Sequence, residues 1–539
     1  MTETEQNHSR GAAAMSRRAF TSVLASASLL TTGPLRAASP VATTAAGRVR
    51  GTIESGVNVF KGIAYGGPTG GANRWLPPQP PQAWSGVREA LAYGPAAAQI
   101  PSALFTDATM SEDCLVANVW TRGLADGGKR PVMVWLHGGG FSTLSGSSPM
   151  YDGVNLCNRG DVVVVTVNHR LNVFGFLHLG DLVGDSHAQA GNVGMLDLVH
   201  ALRWVRTNIE SFGGDPANVT IFGESGGGRK VSTLLAMPEA VGLFHGAIIQ
   251  SGPGIHLQPA DKAHEMAAAL FRKLGLEASD ISKLKAMPAE RVLAAHQAVT
   301  GELESDRRAK GHYEQRGFVP TVGVPELPGY AFDPVATPVS AKIPLMIGSN
   351  RHEMALWSRG DPKLYERALS PVELAERVKF VTGSSAQRVL DLYARQYPAN
   401  HPAVQWILLV SDRTYRFDSI TLAQRKAMQA TAPVYMYYFT WESLADPKLL
   451  AHHALEIPFA FDNAIKLTSF TGGGETARVL ADKMADAWLA FARSGNPNTG
   501  KLPNWSPYDL ATRTTMVFDN TCRVVADPDA AVRKLWATV

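Results

Sequence analysis

Cysteine is scarce in this chain of 539 residues, which has only Cys114, Cys157 and Cys522. Three thiols cannot make a disulfide scaffold, their odd number leaves at least one unpaired, and none stands at metal-ligand spacing. Charge is sparse too. Asp, Glu, Lys and Arg make up 18% of residues against 45% hydrophobic, a balance that supplies a large core and excludes a disordered chain or a coiled coil. The basic excess is 51 minus 47 residues, and part of it sits at the amino terminus, where Arg10, Arg17, Arg18 and Arg36 face only Glu3 and Glu5. With no basic stripe interleaved with aromatics, nucleic acid is excluded as a partner. Internal repeats, low-complexity tracts and runs apolar enough for stable membrane insertion are missing as well. What remains is a soluble globular composition, long for one domain but suited to a large α/β enzyme carrying insertions on one sheet.

The amino terminus reads as a signal rather than as part of the fold. Ser16-Arg17-Arg18-Ala19-Phe20 precedes a mildly apolar run, Thr21 to Leu35, and then small residues from Ala37 to Ala46. Arginine pair, phenylalanine and short apolar run in that order point to twin-arginine export. Residues 1–45 are therefore expected to be signal and linker, cleaved within about 37–46, and residues 46–539 a catalytic domain in the periplasm or outside the cell.

Along that domain, apolar runs rich in β-branched residues read as buried strands: Val132 to Leu136, Val162 to Val167, Val219 to Phe222, Ala247 to Gln250, Leu345 to Ile347 and Val434 to Thr440. Helical patterns lie between them. Val199, Leu202, Val205 and Ile209 share one face, as do Leu480, Met484, Trp488 and Phe491. Strands alternating with amphipathic helices predict a mostly parallel central sheet flanked by helices. Between residues 253 and 318 the pattern turns helical, over Ala260 to Leu276 and Pro288 to Ala298, and then charged from Glu302 to Arg316. This predicts a helical cap inserted over the sheet.

Chemistry enters with Gly223-Glu224-Ser225-Gly226-Gly227, a G-x-S-x-G sequence between the strand Val219 to Phe222 and a helix-competent segment, Val231 to Met237. Strand, glycine-flanked serine and helix are the parts of a nucleophile elbow, in which a crowded turn lifts the serine hydroxyl clear of the sheet. A phosphate loop is excluded, because Arg229 stands where that motif requires lysine. Upstream, the strand Val132 to Leu136 ends in His137-Gly138-Gly139-Gly140-Phe141, whose unscreened backbone amides can hold a developing oxyanion. A serine hydroxyl needs a histidine to take its proton and a carboxylate to orient that histidine. In an α/β-hydrolase fold these follow the serine in the order acid, then histidine, each in a loop after a late strand. Glu353, in the loop after Leu345 to Ile347, meets the requirement. His352-Glu353 begins like a zinc motif, but Leu356 replaces its second histidine, so no metal is expected. His452 and His453 both follow Val434 to Thr440, and periodicity does not choose between them.

With these residues in place, the chain resembles the type-B carboxylesterase family, which includes para-nitrobenzyl esterases and cholinesterases. The likeness runs from about Gly47 to the C-terminal region. It rests on Phe60 to Tyr65, on Arg74-Trp75 through Pro78, on Ser111-Glu112-Asp113-Cys114-Leu115, on Phe222 to Gly227, on Gly348 to Glu353, and on His453-Ala454-Leu455-Glu456-Ile457-Pro458-Phe459. The last segment selects His453 over His452. The resemblance further implies that Gly139, Gly140 and Gly226 supply the oxyanion amides and that Ser251 supports the acid. Three departures stand out. Gly226 replaces a common alanine, and Ala96 to Ala98 occupy the stretch where the family often has a disulfide partner for Cys114, implying a free thiol. Pro320 to Val324 lacks the family's P-x-x-D-G turn.

The expected reaction is ester hydrolysis through an acyl-enzyme on Ser225, with a small-molecule ester as substrate and no metal or organic cofactor. If its surroundings are ordinary, the base should titrate at about 6 to 7. Two alternatives use the same fold. One is a catalytically inactive, cholinesterase-like binding or adhesion domain, and the other is a lactonase, thioesterase or amidase working with the same triad.

Overall fold

Eleven strands pair into one sheet, and the buried apolar runs supply its middle. In chain order they are β1 (Thr52–Glu54), β2 (Val57–Ala64), β3 (Val116–Thr121), β4 (Arg130–Leu136), β5 (Val163–Val167), β6 (Gly214–Glu224), β7 (Gly246–Gln250), β8 (Leu345–Asn350), β9 (Val434–Phe439), β10 (Thr514–Phe518) and β11 (Arg523–Ala526). Their order across the sheet is β11-β10-β9-β8-β7-β6-β4-β5-β3-β2-β1. This computed structural model describes residues 39–101, 109–309 and 317–539, without the side chains of 303–309. The segment expected to be an export signal and residues 310–316 of the charged stretch thus lie outside the described residues.

From β5 to β10 every neighbouring pair is parallel. Every position of β4, β5 and β7 is buried, which explains continuous apolar runs in place of alternation. Both edges turn antiparallel, β1 to β2 to β3 to β5 on one side and β10 to β11 on the other. The expected mostly parallel sheet therefore describes the centre of a mixed one. The two hairpin pairs, β1–β2 and β10–β11, are antiparallel because a short connection cannot carry the chain back to the same end.

The folded chain also starts earlier than residue 46. Val41–Thr44 pairs with Gly47–Arg50, which pairs with Val87–Glu89 in a separate small sheet, so a boundary at 45 would cut a hairpin.

The longer helices are α1 (Val193–Asn208), α2 (Gly226–Leu234), α3 (Ala260–Leu274), α4 (Ala289–Ala309), α5 (Pro371–Thr382), α6 (Ala386–Gln396), α7 (Pro402–Ser411), α8 (Phe417–Ala427) and α9 (Gly474–Ser494). The two faces of the sheet carry different cores. Val132, Val134 and Leu136 of β4 pack with Val199, Leu202 and Val205 of α1, while the alternate residues Met133 and Trp135 pack with Leu480, Met484 and Trp488 of α9. That is the period-two alternation of a strand covered on both sides.

In the segment expected as a cap, α3 and α4 put Met266, Leu270, Val292 and Leu293 into the α1-side core. A second helical excursion, α5 to α8 between β8 and β9, was not anticipated. It begins locally with Pro371 at the first helical position and a reciprocal Ser370–Glu373 capping box, and its Val378, Val389, Tyr393 and Leu409 pack on Trp536. Cys114, Cys157 and Cys522 are buried free thiols. The Thr321–Val322 stretch pairs with Gln258–Pro259, and its turn closes through Gly323 N to Leu327 O at 2.9 Å.

Candidate active site

β4 is flanked by β5 on one side and β6 on the other, so the chain order reverses here, and open α/β sheets bind ligands beyond the strands' carboxyl ends at such a point. The loops that follow β4, β6, β8 and β9 carry all the residues singled out for catalysis.

Ser225 joins β6 to α2 with φ +57° and ψ −121°, a strained conformation for a side-chain-bearing residue. Its N–H donates to Gln250 O at 2.9 Å, which pins the elbow to β7. The following residues must be small. A side chain on Gly227 would collide with the Leu136 carbonyl of β4, and one on Gly226 with the Gly140 carbonyl. Gly226 is therefore pressed against the loop of Gly139 and Gly140, both in the left-handed region at φ +80° and +66°.

Glu353 lies just past β8 and is fully buried. Its Oε1 accepts from Asn350 N at 2.7 Å, and Oε2 lies 2.6 Å from His453 Nδ1. His453 N also donates to Glu353 O at 3.2 Å, tying the β9 loop to the β8 loop. The imidazole is held between aromatic rings, Trp357 at 5.0 Å and Tyr415 at 4.9 Å between centroids. His452 faces elsewhere: its Nδ1 is 2.7 Å from His453 O, its ring meets Phe470, and burial pushes its pKa down to about 4.

Ser251, expected to support the acid, follows β7 in a strained backbone conformation, φ +45°, and its buried Oγ has no hydrogen-bond partner among the described residues. Glu353 already receives the Asn350 amide on the oxygen that histidine leaves free, and the Asn350 side chain donates to His452 O at 2.7 Å and to Glu456 Oε2 at 2.6 Å.

Glu224 was overlooked as a separate group because it fills the variable place of the serine motif. Its Oε1 approaches His453 Nε2 to 3.1 Å, within ion-pair range, although Nε2 has no hydrogen-bond partner among the described residues. Burial opposes the imidazolium, but Glu224 and then Glu353 outweigh it, and the His453 pKa is pushed up to about 9. The surroundings of the base are thus not ordinary, and the expected 6 to 7 does not hold. Burial also pushes the Glu224 carboxyl well above the usual range and Glu456 up to about 7. Several buried glutamates cannot all ionise beside one imidazole, so Glu224 and His453 titrate as a pair across their 3.1 Å gap. Glu353 is held at both oxygens, by the Asn350 amide and by the imidazole.

Residues 38–535 match the sequence profile described as the carboxylesterase family. The chain is 37% identical over 502 residues to a para-nitrobenzyl esterase of Bacillus subtilis, covering 92% of this chain and 98% of that protein. It is 33% identical over 516 residues to a phenmedipham hydrolase of Pseudarthrobacter oxydans, covering 92% and 99%. A solved carboxylesterase structure from Geobacillus stearothermophilus matches with a TM-score of 0.80 at 39% identity, over 92% of this chain and 99% of that one.

Proposed function

The chain belongs to the carboxylesterase family of serine hydrolases, and from that premise we propose that it cleaves carboxylic esters with Ser225 as nucleophile, His453 as general base and Glu353 as the acid orienting the base. The observation that carries this reading is the buried 2.6 Å contact between His453 Nδ1 and Glu353 Oε2, at the sheet end where the Ser225 elbow stands. A carboxylate on Nδ1 keeps that nitrogen protonated and leaves Nε2 as the proton acceptor.

Ser225 Oγ attacks the ester carbonyl carbon while Nε2 takes the hydroxyl proton. The amides of Gly139, Gly140 and Gly226 receive the oxyanion. Collapse breaks the bond to the alcohol oxygen, which leaves with the proton from Nε2, and the acyl group stays on Ser225. Water then repeats the sequence, releasing the acid and restoring the serine. The relative named a para-nitrobenzyl esterase makes para-nitrobenzyl esters the first substrates to try. Varied acyl lengths, beside thioester and anilide analogues, separate an esterase from a thioesterase or amidase. The Ser16 to Phe20 motif supports export by the twin-arginine route.

The test is Ser225→Ala, which removes the attacking oxygen with little loss of packing. Activity on p-nitrophenyl esters should fall to background with an unchanged circular dichroism spectrum. More than a few per cent of wild-type activity would refute the assignment.

A further inference from the structure

Behind the oxyanion loop lies a lysine that this reaction does not use. Lys230 follows Ser225 on α2 and is 0% exposed. Lysines are almost never fully buried unless paired. Here Nζ donates a 2.8 Å hydrogen bond to the main-chain oxygen of His137, and burial alone pushes the pKa well below the ordinary lysine value. Its surroundings are the Phe141 ring, 5.9 Å from Nζ, and the buried imidazoles of His137 and His169, which stack 5.2 Å apart. Burial first and Lys230 second push both histidines toward the neutral form.

His137 is the residue from which the oxyanion loop departs. Its Nδ1 lies 3.0 Å from Gly138 O, the carbonyl of the peptide unit that presents the Gly139 N–H. The next unit presents the Gly140 N–H, and its carbonyl, Gly139 O, accepts from Ser142 N at 3.2 Å and Thr143 N at 3.1 Å and from Thr143 Oγ1 at 3.3 Å. Both units that would face an oxyanion therefore have their carbonyl ends tied, and Lys230 ties the unit before them. A hydrogen bond received at the carbonyl polarises the N–H at the other end of a peptide and fixes its direction.

We propose that Lys230 is a positioning residue that clamps the His137 carbonyl from the elbow helix and holds the Gly139 and Gly140 amides toward the oxyanion. One side chain then links the helix carrying the nucleophile to the loop that receives the charge. This proposal rests on the reading of Ser225 and the glycine amides given above.

Lys230→Met keeps a flexible, unbranched side chain, one atom shorter, and removes the donor. For p-nitrophenyl acetate, kcat should fall about tenfold or more, with KM changing little, because a loosened amide weakens the transition state selectively. Affinity for a trifluoromethyl ketone, which forms a tetrahedral adduct with its oxyanion in the hole, should fall by the same factor as kcat/KM. A residue needed only for stability would lower Tm and move neither. Lys230→Leu removes the same donor and carries the test should Lys230→Met not accumulate as folded protein. Lys230→Gln, with a shorter donor, should recover part of the loss. Wild-type kcat and ketone affinity in folded Lys230→Met or Lys230→Leu would overturn the clamp. A fluorophosphonate keeps the two readings apart. Labelling at Ser225 together with unchanged ketone affinity in Lys230→Met sinks the clamp alone, whereas labelling elsewhere in the wild type sinks the nucleophile and the clamp with it.

Discussion

Replacing Glu224 by glutamine should shift the acid limb of the pH–rate profile to lower pH and lower its plateau. Unit charges separated by the 3.1 Å between Glu224 Oε1 and His453 Nε2 attract by about 5 kcal/mol at an effective dielectric constant near 20. Removing both from water returns several kcal/mol of that, which leaves a net effect of roughly one to three pKa units on the imidazole. The sign follows from the direction of the shift. With its pKa pushed up to about 9, His453 holds its proton to higher pH than an ordinary imidazole, so less of it is free to act as a base at pH 7. Glutamine removes the charge, the pKa falls, and the free fraction at pH 7 rises roughly tenfold or more. The same loss withdraws stabilisation from the imidazolium formed in the transition state, so the plateau drops. The assay is kcat/KM for a p-nitrophenyl ester from pH 5 to 10 at constant ionic strength. The variant and wild-type curves should cross, the variant being faster on the acid side and slower on the alkaline side. Superimposable acid limbs would show that Glu224 keeps its own proton and does not govern the base.

His453→Ala should cost about three orders of magnitude or more in kcat, the scale of losing a triad member, while His452→Ala costs little because its ring faces Phe470; the reverse outcome would place the base one residue earlier. Gly226→Ala should lower kcat about tenfold or more, since relieving the collision with the Gly140 carbonyl displaces an oxyanion amide; a fully active variant would show that the loop yields freely. Replacing Arg17 and Arg18 together by lysine should leave uncleaved precursor inside the cell, because the export receptor reads guanidinium groups and not charge alone; equal export of the variant excludes this route.

The sequence made the centre of the sheet legible because strands buried on both faces are continuous apolar runs, and Ser225 and Glu353 could be singled out because each stands just past a strand, whereas His453 lies well beyond the end of β9. It was silent on α5 to α8, whose apolar stripes were never resolved into helices. Side-chain pairs contributed by loops far apart in the chain leave no local trace, and so the approach of Glu224 to His453 went unseen although Glu224 lay inside the serine motif itself. Main-chain donors leave even less. Every residue except proline carries an N–H, so the Asn350 amide that bonds Glu353 has no signature in the sequence, where the family resemblance pointed instead to the Ser251 hydroxyl. Lys230 shows the limit most clearly. A lysine on a helix ordinarily marks a solvated face, but α2 is enclosed by β4 and its loop on one side and by β7 on another, and every residue from Gly226 to Leu234 except Arg229 is buried. A helix with almost no solvated face must satisfy its polar ends on the main chain around it. That constraint directs the Lys230 donor to the His137 carbonyl, beside the loop where a fixed amide direction matters most.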